Sequence, residues 1–403
     1  MIFSFVIELY SVFANPEKWR SWQYRKKLRL GELPVLPVVD IVKSMRLKDQ
    51  IQLALSSKKY EAVCSIARVK VGWINFHVKD EYTYFYLEKG TKLYCGKKSS
   101  VNRSDKMSYR KLSKWLATES SATPLQRMAC LFEKINTIFR SDDHYLLIYM
   151  DEMKNASVKD VMDVPMFKNC EKIALVRGEI ESDDLRLVLD MAKNLKYFRI
   201  LSTKVPSYFQ HEKAFSIKRI IYEDANWVRL ENLLTMRNST YVTLGTTSLT
   251  YSDFNEFLKF WVNSEVDMFI NFFGKIKEGI DPKVLFDGFL RLDSTRYTIP
   301  AYFIISKRDI VNRKRPFLLV DYYKGELRFL SYSTEIYEFK RDKLEEKKFQ
   351  PEFDALRVLE QREELGKKME EVEGLDEGDT KMMEELNTKL NVLLAEGKFT
   401  IGE

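Results

Sequence analysis

Apolar positions in this chain recur at two periods, and the period changes between its halves. Near the front, in LPVLPVVDIVKSM, Val38, Ile41, Val42 and Met45 share one helical face. Val39 widens that face until only Asp40, Lys43 and Ser44 are polar, so the helix is expected to be buried nearly all round. Pro37 fits the first helical position, where its missing N–H costs nothing. In DQIQLAL, Ile51, Leu53 and Leu55 alternate as in a strand, although Asp49 and the unbroken run to Ser56 also accommodate a short helix. Ser57 predicts the cap of a third helix with Tyr60, Val63 and Ala67 inward. Three helices this short cannot bury so much apolar surface among themselves. Some of it must meet another part of the chain or another protein.

Further on, PLQRMACLFEKINTIF places Leu125, Met128, Phe132, Ile135 and Phe139 on one helical face. From about residue 170 short apolar strands alternate with helices. The expected strands are 172–176, 197–201, 217–222, 240–244 and 269–273. Ser182, the Thr250/Asp253 capping box and Asp281-Pro282 mark helix starts between them. The strands recur every 20–29 residues, the range of leucine-rich repeats, but without the strict leucine pattern. The expectation is an irregular, repeat-like strand-helix layer, with an ordinary mixed sheet as the alternative. After residue 295, AYFIISK and PFLLVDYYKGELRFLSY read as strands with a hairpin turn at Lys324-Gly325. Two charge-rich amphipathic helices follow, the second striped by Met382, Leu386, Leu390 and Leu393; a helical hairpin or coiled coil fits them, and a solvated tail is the default expectation.

Composition adds that the chain is of ordinary globular type, with 45% hydrophobic and 31% charged residues over 403 positions, enough for two or three structural units. The net charge of +7 is unevenly spread: residues 341–403 hold 11 Lys and Arg against 18 Asp and Glu. An acidic or nucleic-acid partner is thereby allowed and not demanded. Cys64, Cys95, Cys130 and Cys170 lie far apart without paired or histidine neighbours, which predicts reduced thiols, an intracellular setting in cytoplasm or nucleus, and no zinc site. The apolar start MIFSFVIELYSVF contains Glu8 and is shorter than the about 20 residues of a bilayer span, so a packed extension is expected there and no membrane partner.

The front segment, LPVLPVVDIVKSM with DQIQLALSSKKYEAV, resembles an F-box, in particular that of nematode F-box proteins. A second stretch, 224–267, resembles the F-box-associated domain of the nematode type through LLTM, Leu249-Thr250, Asp253-Phe254-Asn255, Phe257-Leu258-Lys259 and Trp261. The fold this implies is α/β, α+β overall: an extension over 1–30, a three-helix F-box over 31–75, a connecting α/β region over 76–169, a ligand-binding domain over 170–335 and a charged helical tail over 336–403. The extension and the tail have no counterpart in the pattern. The resemblance implies a non-catalytic adaptor of an SCF-type cullin ubiquitin ligase, binding a Skp-type linker at the front, a cullin through it, and an unknown protein substrate behind. By position, Leu36, Pro37, Val39, Ile41, Leu53, Leu55 and Lys58 become the linker-facing candidates, Leu36 and Pro37 foremost. Asn255 and Trp261 could touch a ligand, but Phe254, Phe257, Leu258 and Trp261 fall at i, i+3, i+4 and i+7, the spacing of a buried face.

No catalytic constellation stands out, and neither a cofactor nor a metal is expected. GTKLYCGKKSS approximates a phosphate-binding loop, but its second glycine comes one residue late and Lys98 replaces the magnesium-reaching hydroxyl. SDDHY sets Asp142 and Asp143 beside His144, an arrangement found more often in a solvated turn than in a metal site. The basic runs YRKKLR and NRKR lie near Trp19, Trp22 and Phe317, which makes nucleic-acid binding a rival reading, though without any zinc-finger or RNA-recognition signature; the main alternative is a linker-independent interaction protein that keeps the front helices only as packing.

Overall fold

In the computed structural model, the three front helices form as a consequence of their inward apolar stripes. The structure describes residues 33–96, 122–153, 156–276, 281–294, 299–307, 313–333, 349–371 and 377–402, together with residues 30, 112, 115 and 116. The expectations for the N-terminal extension, the run YRKKLR and most of the two loop segments between 97 and 121 lie outside them. The chain divides into two units, 1–147 and 148–403.

In the first unit, α1 (Val35–Ser44), α2 (Leu47–Ala54) and α3 (Lys58–Ala67) turn Val38, Val39, Val42, Ile51, Ala54, Val63 and Cys64 toward one another. Pro37 occupies the third position of α1, two residues deeper than expected, because Pro34 serves as the N-cap. It is tolerated there since the first four amides of a helix have no intrahelical acceptor. The Ile51/Leu53/Leu55 alternation resolves as helix, and Ser57 Oγ caps α3 by accepting the Tyr60 amide at 3.3 Å. Beyond α3 come β1 (Val69–Lys70), then a meander of β2 (Ile74–Val78), β3 (Tyr82–Leu87) and β4 (Thr91–Gly96). Next are α4 (Pro124–Ile138), β5 (Phe139–Arg140), which pairs with β1, and β6 (His144–Tyr149). Phe139 lies one residue past α4, in β5, so the expected helical stripe ends at Ile135. Part of the apolar surface left by the three helices is met within this unit by α4, to which α3 is also tied by a 2.8 Å ion pair between Glu61 and Lys134.

The second unit begins with α5 (Val158–Met162) and α6 (Pro165–Lys168). Then β7 (Lys172–Val176), β8 (Tyr197–Leu201), β9 (Arg219–Ala225), β10 (Ser239–Thr247) and β11 (Phe269–Lys275) lie side by side in sequence order, all parallel. The crossovers carry α7 (Ser182–Met191), α8 (Leu230–Leu234) and α9 (Tyr251–Asn263). Two strands match the expected bounds; β9 begins later than expected because Ile217 and Lys218 sit in the preceding bend, where the Lys218 carbonyl accepts from Thr240 and Tyr241. Ser182 starts α7 as its first residue rather than as its cap, Glu181 holding that position. Thr250 and Asp253 form the expected reciprocal cap of α9. At Gly245 a β-carbon would come within 2.0 Å of the Glu223 carbonyl oxygen, which explains glycine where β10 bulges between Leu244 and Thr246.

After β11 the direction alternates. Beyond the short α10 (Pro282–Leu285) come β12 (Leu292–Ser294), β13 (Ala301–Ile305), β14 (Phe317–Tyr323) and β15 (Glu326–Tyr332); β15 pairs with β11 and leads back through β14, β13 and β12. Lys324 and Gly325, with φ of 53° and 85°, make the two-residue turn expected between β14 and β15. The tail helices α11 (Gln350–Glu371) and α12 (Glu377–Gly397) are not a solvated extension. Ala355, Leu356, Val358 and Leu359 of α11 and Leu390 of α12 bury against Leu292, Phe303, Ile305, Phe317 and Leu319, and β16 (Phe399–Ile401) joins the edge at β12. Much of their charge sits on the outward faces, although Glu352 of α11 is buried.

On β2, His77 stacks on Tyr84 with centroids 4.3 Å apart. Burial, reinforced by Lys79 and Lys92, pushes its imidazole down from 6.5 to about 4. The unfolded chain therefore binds a proton that the folded chain does not between those values, and stability falls as pH drops from about 6.5 toward 4, by about 3 kcal/mol at most. His77→Phe keeps the stack and removes the proton site. Urea unfolding at pH 7 and pH 5 is expected to show a smaller acid loss in H77F than in wild type; equal losses would discount this contribution.

Candidate interaction surfaces

At the start of α1 the chain leaves apolar side chains in solvent: Val35 is 52% and Leu36 75% exposed. Pro37 is half-buried beside them, as are Ile41 on α1, Leu53 on α2 and Leu55 just after it, while Lys58 is fully outward at the start of α3. Val39 differs from the other linker-facing candidates. It is 5% exposed and packs between the helices, so it supports the shape of the unit rather than offering a contact. Ile66, on the outward side of α3, adds a further exposed apolar residue that the sequence reading did not single out. Its position one residue before Ala67 on an otherwise amphipathic helix was the available signal.

The second surface belongs to the segment around α9. Phe254, Phe257, Leu258 and Trp261 are all buried, as their helical spacing predicts. The first two meet Phe272 of β11 and Phe329 of β15 in an aromatic cluster with centroids 5.4–6.2 Å apart. Asn255 is buried as well, and its amide donates to the carbonyls of Leu285 and Asp287 at 3.0 and 2.9 Å. It fastens α9 to the end of α10 and the turn that follows, and is not free for a ligand. In LLTM, Leu233 and Met236 are buried under the same layer.

Trp261 carries a partner that the sequence did not suggest. The Arg313 guanidinium lies 3.8 Å from the Trp261 ring centroid and donates to the backbone carbonyls of Trp261 and Arg315. Burial pushes it down to about 10, still protonated at neutral pH. Arg315 is buried too: its backbone N–H donates to Asp267 and its guanidinium reaches the Ser331 carbonyl. Two of the three basic side chains of NRKR thus point inward, which removes most of that run from any nucleic-acid surface.

The chemical candidates resolve as structure. Gly90 precedes β4, and Thr91–Gly96 form a strand paired with β3, so GTKLYCG has no phosphate-loop geometry. His144 sits between Phe76 and Phe132, with centroids 5.8 and 5.4 Å away, and burial pushes it below its ordinary value. Asp142 turns instead to Lys70 and Arg140. His211 faces Asp190 at 3.2 Å while its other ring nitrogen accepts the Lys213 amide, so both nitrogens are engaged. Burial raises the thiols of Cys64 to about 11 and of Cys95 and Cys170 to about 12, far above the range of a reactive thiolate. Among the described residues no group of three or more His, Cys, Asp or Glu could hold a metal ion, and no helix is long and apolar enough to cross a membrane.

Residues 208–268, from the turn before β9 through β10 and α9, match the model of the F-box associated family. This span contains the segment on which the sequence resemblance rested. No curated protein and no solved structure matches the chain.

Removing the Asn255 amide leaves two carbonyls unpaired. Asn255→Ala is expected to destabilise the second unit by about 1–3 kcal/mol in urea or thermal unfolding. Unchanged stability together with lost partner binding would reassign Asn255 to a recognition surface.

Proposed function

We propose that the chain is a non-catalytic substrate-recognition adaptor of an SCF-type ubiquitin ligase. In this reading α1–α3 act as an F-box that docks a Skp-type linker, and through it a cullin, while the second unit holds a protein substrate. The observation that carries it is the pairing of two features in the order the family uses. A three-helix unit with Val35 and Leu36 in solvent comes first, and a segment matching the F-box associated family follows. Ubiquitin transfer would be performed by other subunits, this chain supplying proximity and orientation.

Leu36 and Pro37 are the anchors of the docking surface in this reading, with Ile41, Leu53, Leu55 and Lys58 around them and Val39 beneath. Alanine at both Leu36 and Pro37 is expected to weaken linker capture by about 10-fold to 1,000-fold, the range of two central anchors. Co-purification of purified linker with wild type and double variant measures it. Because Leu36 lies in solvent, the variant retains its fold; undiminished capture would exclude this docking mode.

A further inference from the structure

Positive charge is concentrated in the front part of the chain: residues 1–147 hold 26 Lys and Arg against 14 Asp and Glu, while 148–403 hold 40 against 45. Some of it converges on one place. A cleft of about 440 Å³ opens between the α1–α2 turn, β1 and the turn that joins β3 to β4. Lys43 of α1, Arg46 and Lys48 at the start of α2, Lys70 of β1 and Lys92 of β4 all line it. Glu88 is the one acid among the lining residues, and its carboxylate accepts the Gly72 amide at 2.6 Å. Three of the cations have a flanking acid: Lys43 with Asp40 at 3.7 Å, Arg46 with Asp49 at 2.8 Å and Lys70 with Asp142 at 3.3 Å. These pairs face solvent, where screening makes them weak and readily exchanged. Lys48 and Lys92 have no such neighbour among the described residues. A concave wall of one sign focuses the field on whatever enters it.

Lys92 joins this cleft to a run of aromatic rings. Side chains alternate along β2–β4. Phe76, Phe85, Leu93 and Cys95 are buried on one face, and the other face carries His77, Tyr82, Tyr84, Tyr86 and Tyr94, each keeping part of its surface in solvent. Register sets Asn75, Tyr86 and Lys92 in the row nearest the cleft and His77, Tyr84 and Tyr94 in the next. The Lys92 ammonium lies 5.4 Å from the Tyr86 centroid, at the boundary between cleft and rings. Trp73, also half-buried, meets Tyr86 at 5.4 Å with the planes inclined by 50°, so neither ring fully covers the other. The stack of His77 on Tyr84 stiffens the row behind them.

We propose that the cleft and the adjoining rings bind single-stranded nucleic acid, its phosphates taken by the cleft cations and its bases by Trp73 and Tyr86. Cations along a groove and rings beside it are the two parts that a surface for single strands combines. An acidic peptide would meet the cations and leave the rings without flat partners. A duplex keeps its base faces in its own stack. The surface is separate from NRKR, whose guanidiniums point inward, and from Leu36 and Pro37 at the other end of α1, so it does not rest on the adaptor reading.

Fluorescence anisotropy of the full chain with a fluorescein-labelled oligouridylate tests the proposal across a series of salt concentrations. Parallel arms use a duplex and a polyglutamate peptide of matching length. The oligouridylate is expected to bind wild type more tightly than either competitor. The double variant Lys48→Gln/Lys92→Gln is expected to bind more weakly, with a slope of log affinity against log salt shallower by about 1.4, two phosphate contacts of a single strand. Trp73→Leu keeps an apolar side chain and removes the flat ring; it is expected to bind at least 5-fold more weakly with the salt slope unchanged. The lysine variant, altered only at surface side chains, keeps the test decisive if Trp73→Leu fails to fold. Equal affinity of the oligouridylate for wild type and the lysine variant overturns the proposal, because binding would then belong to basic residues elsewhere. Equal or tighter binding of polyglutamate or of the duplex overturns it as well, as does a folded Trp73→Leu that binds like wild type.

Discussion

Burial of the aromatic stripe of α9 against β11 and β15 is the constraint on which the second unit depends. Phe254, Phe257 and Trp261 can leave water together only if the helix crosses the junction where parallel strands give way to antiparallel ones, because Phe272 lies on one side of that junction and Phe329 on the other. The Thr250–Asp253 cap sets the helix start, Asn255 ties its flank, and Arg313 closes over Trp261 at its end. Each polar contact satisfies a group that burial of the stripe would otherwise strand, so packing and hydrogen bonding specify one register rather than several.

Much of this was readable along the chain. Alternation identified the parallel strands, and capping chemistry located the start of α9, since both signals are local and short-ranged. What escaped depended on distant partners. Nothing near Arg313 in sequence announces Trp261, and a basic run looks the same whether its guanidiniums face carbonyls or solvent. Likewise the tail helices looked solvated because their charges dominate composition, whereas the narrow stripe of Leu356, Leu359 and Leu390 finds its complement on β13 and β14 only once the sheet exists. Among the candidate interaction residues, the F-box resemblance could nominate Leu36 and Leu55, yet it could not tell the buried Val39 from the outward Leu36.

In the adaptor reading the front surface, apolar and small, suits anchors that lose water on docking.

The three-residue strand β16 carries a consequence for how the protein tolerates proteolysis. Its pairing with β12 shields a row of backbone groups, and Phe399 is buried with the cluster beneath α11 and α12. Trimming Phe399–Ile401 would bare those groups to water and open a void under the two helices, so a clipped preparation should unfold at a lower temperature than the intact chain.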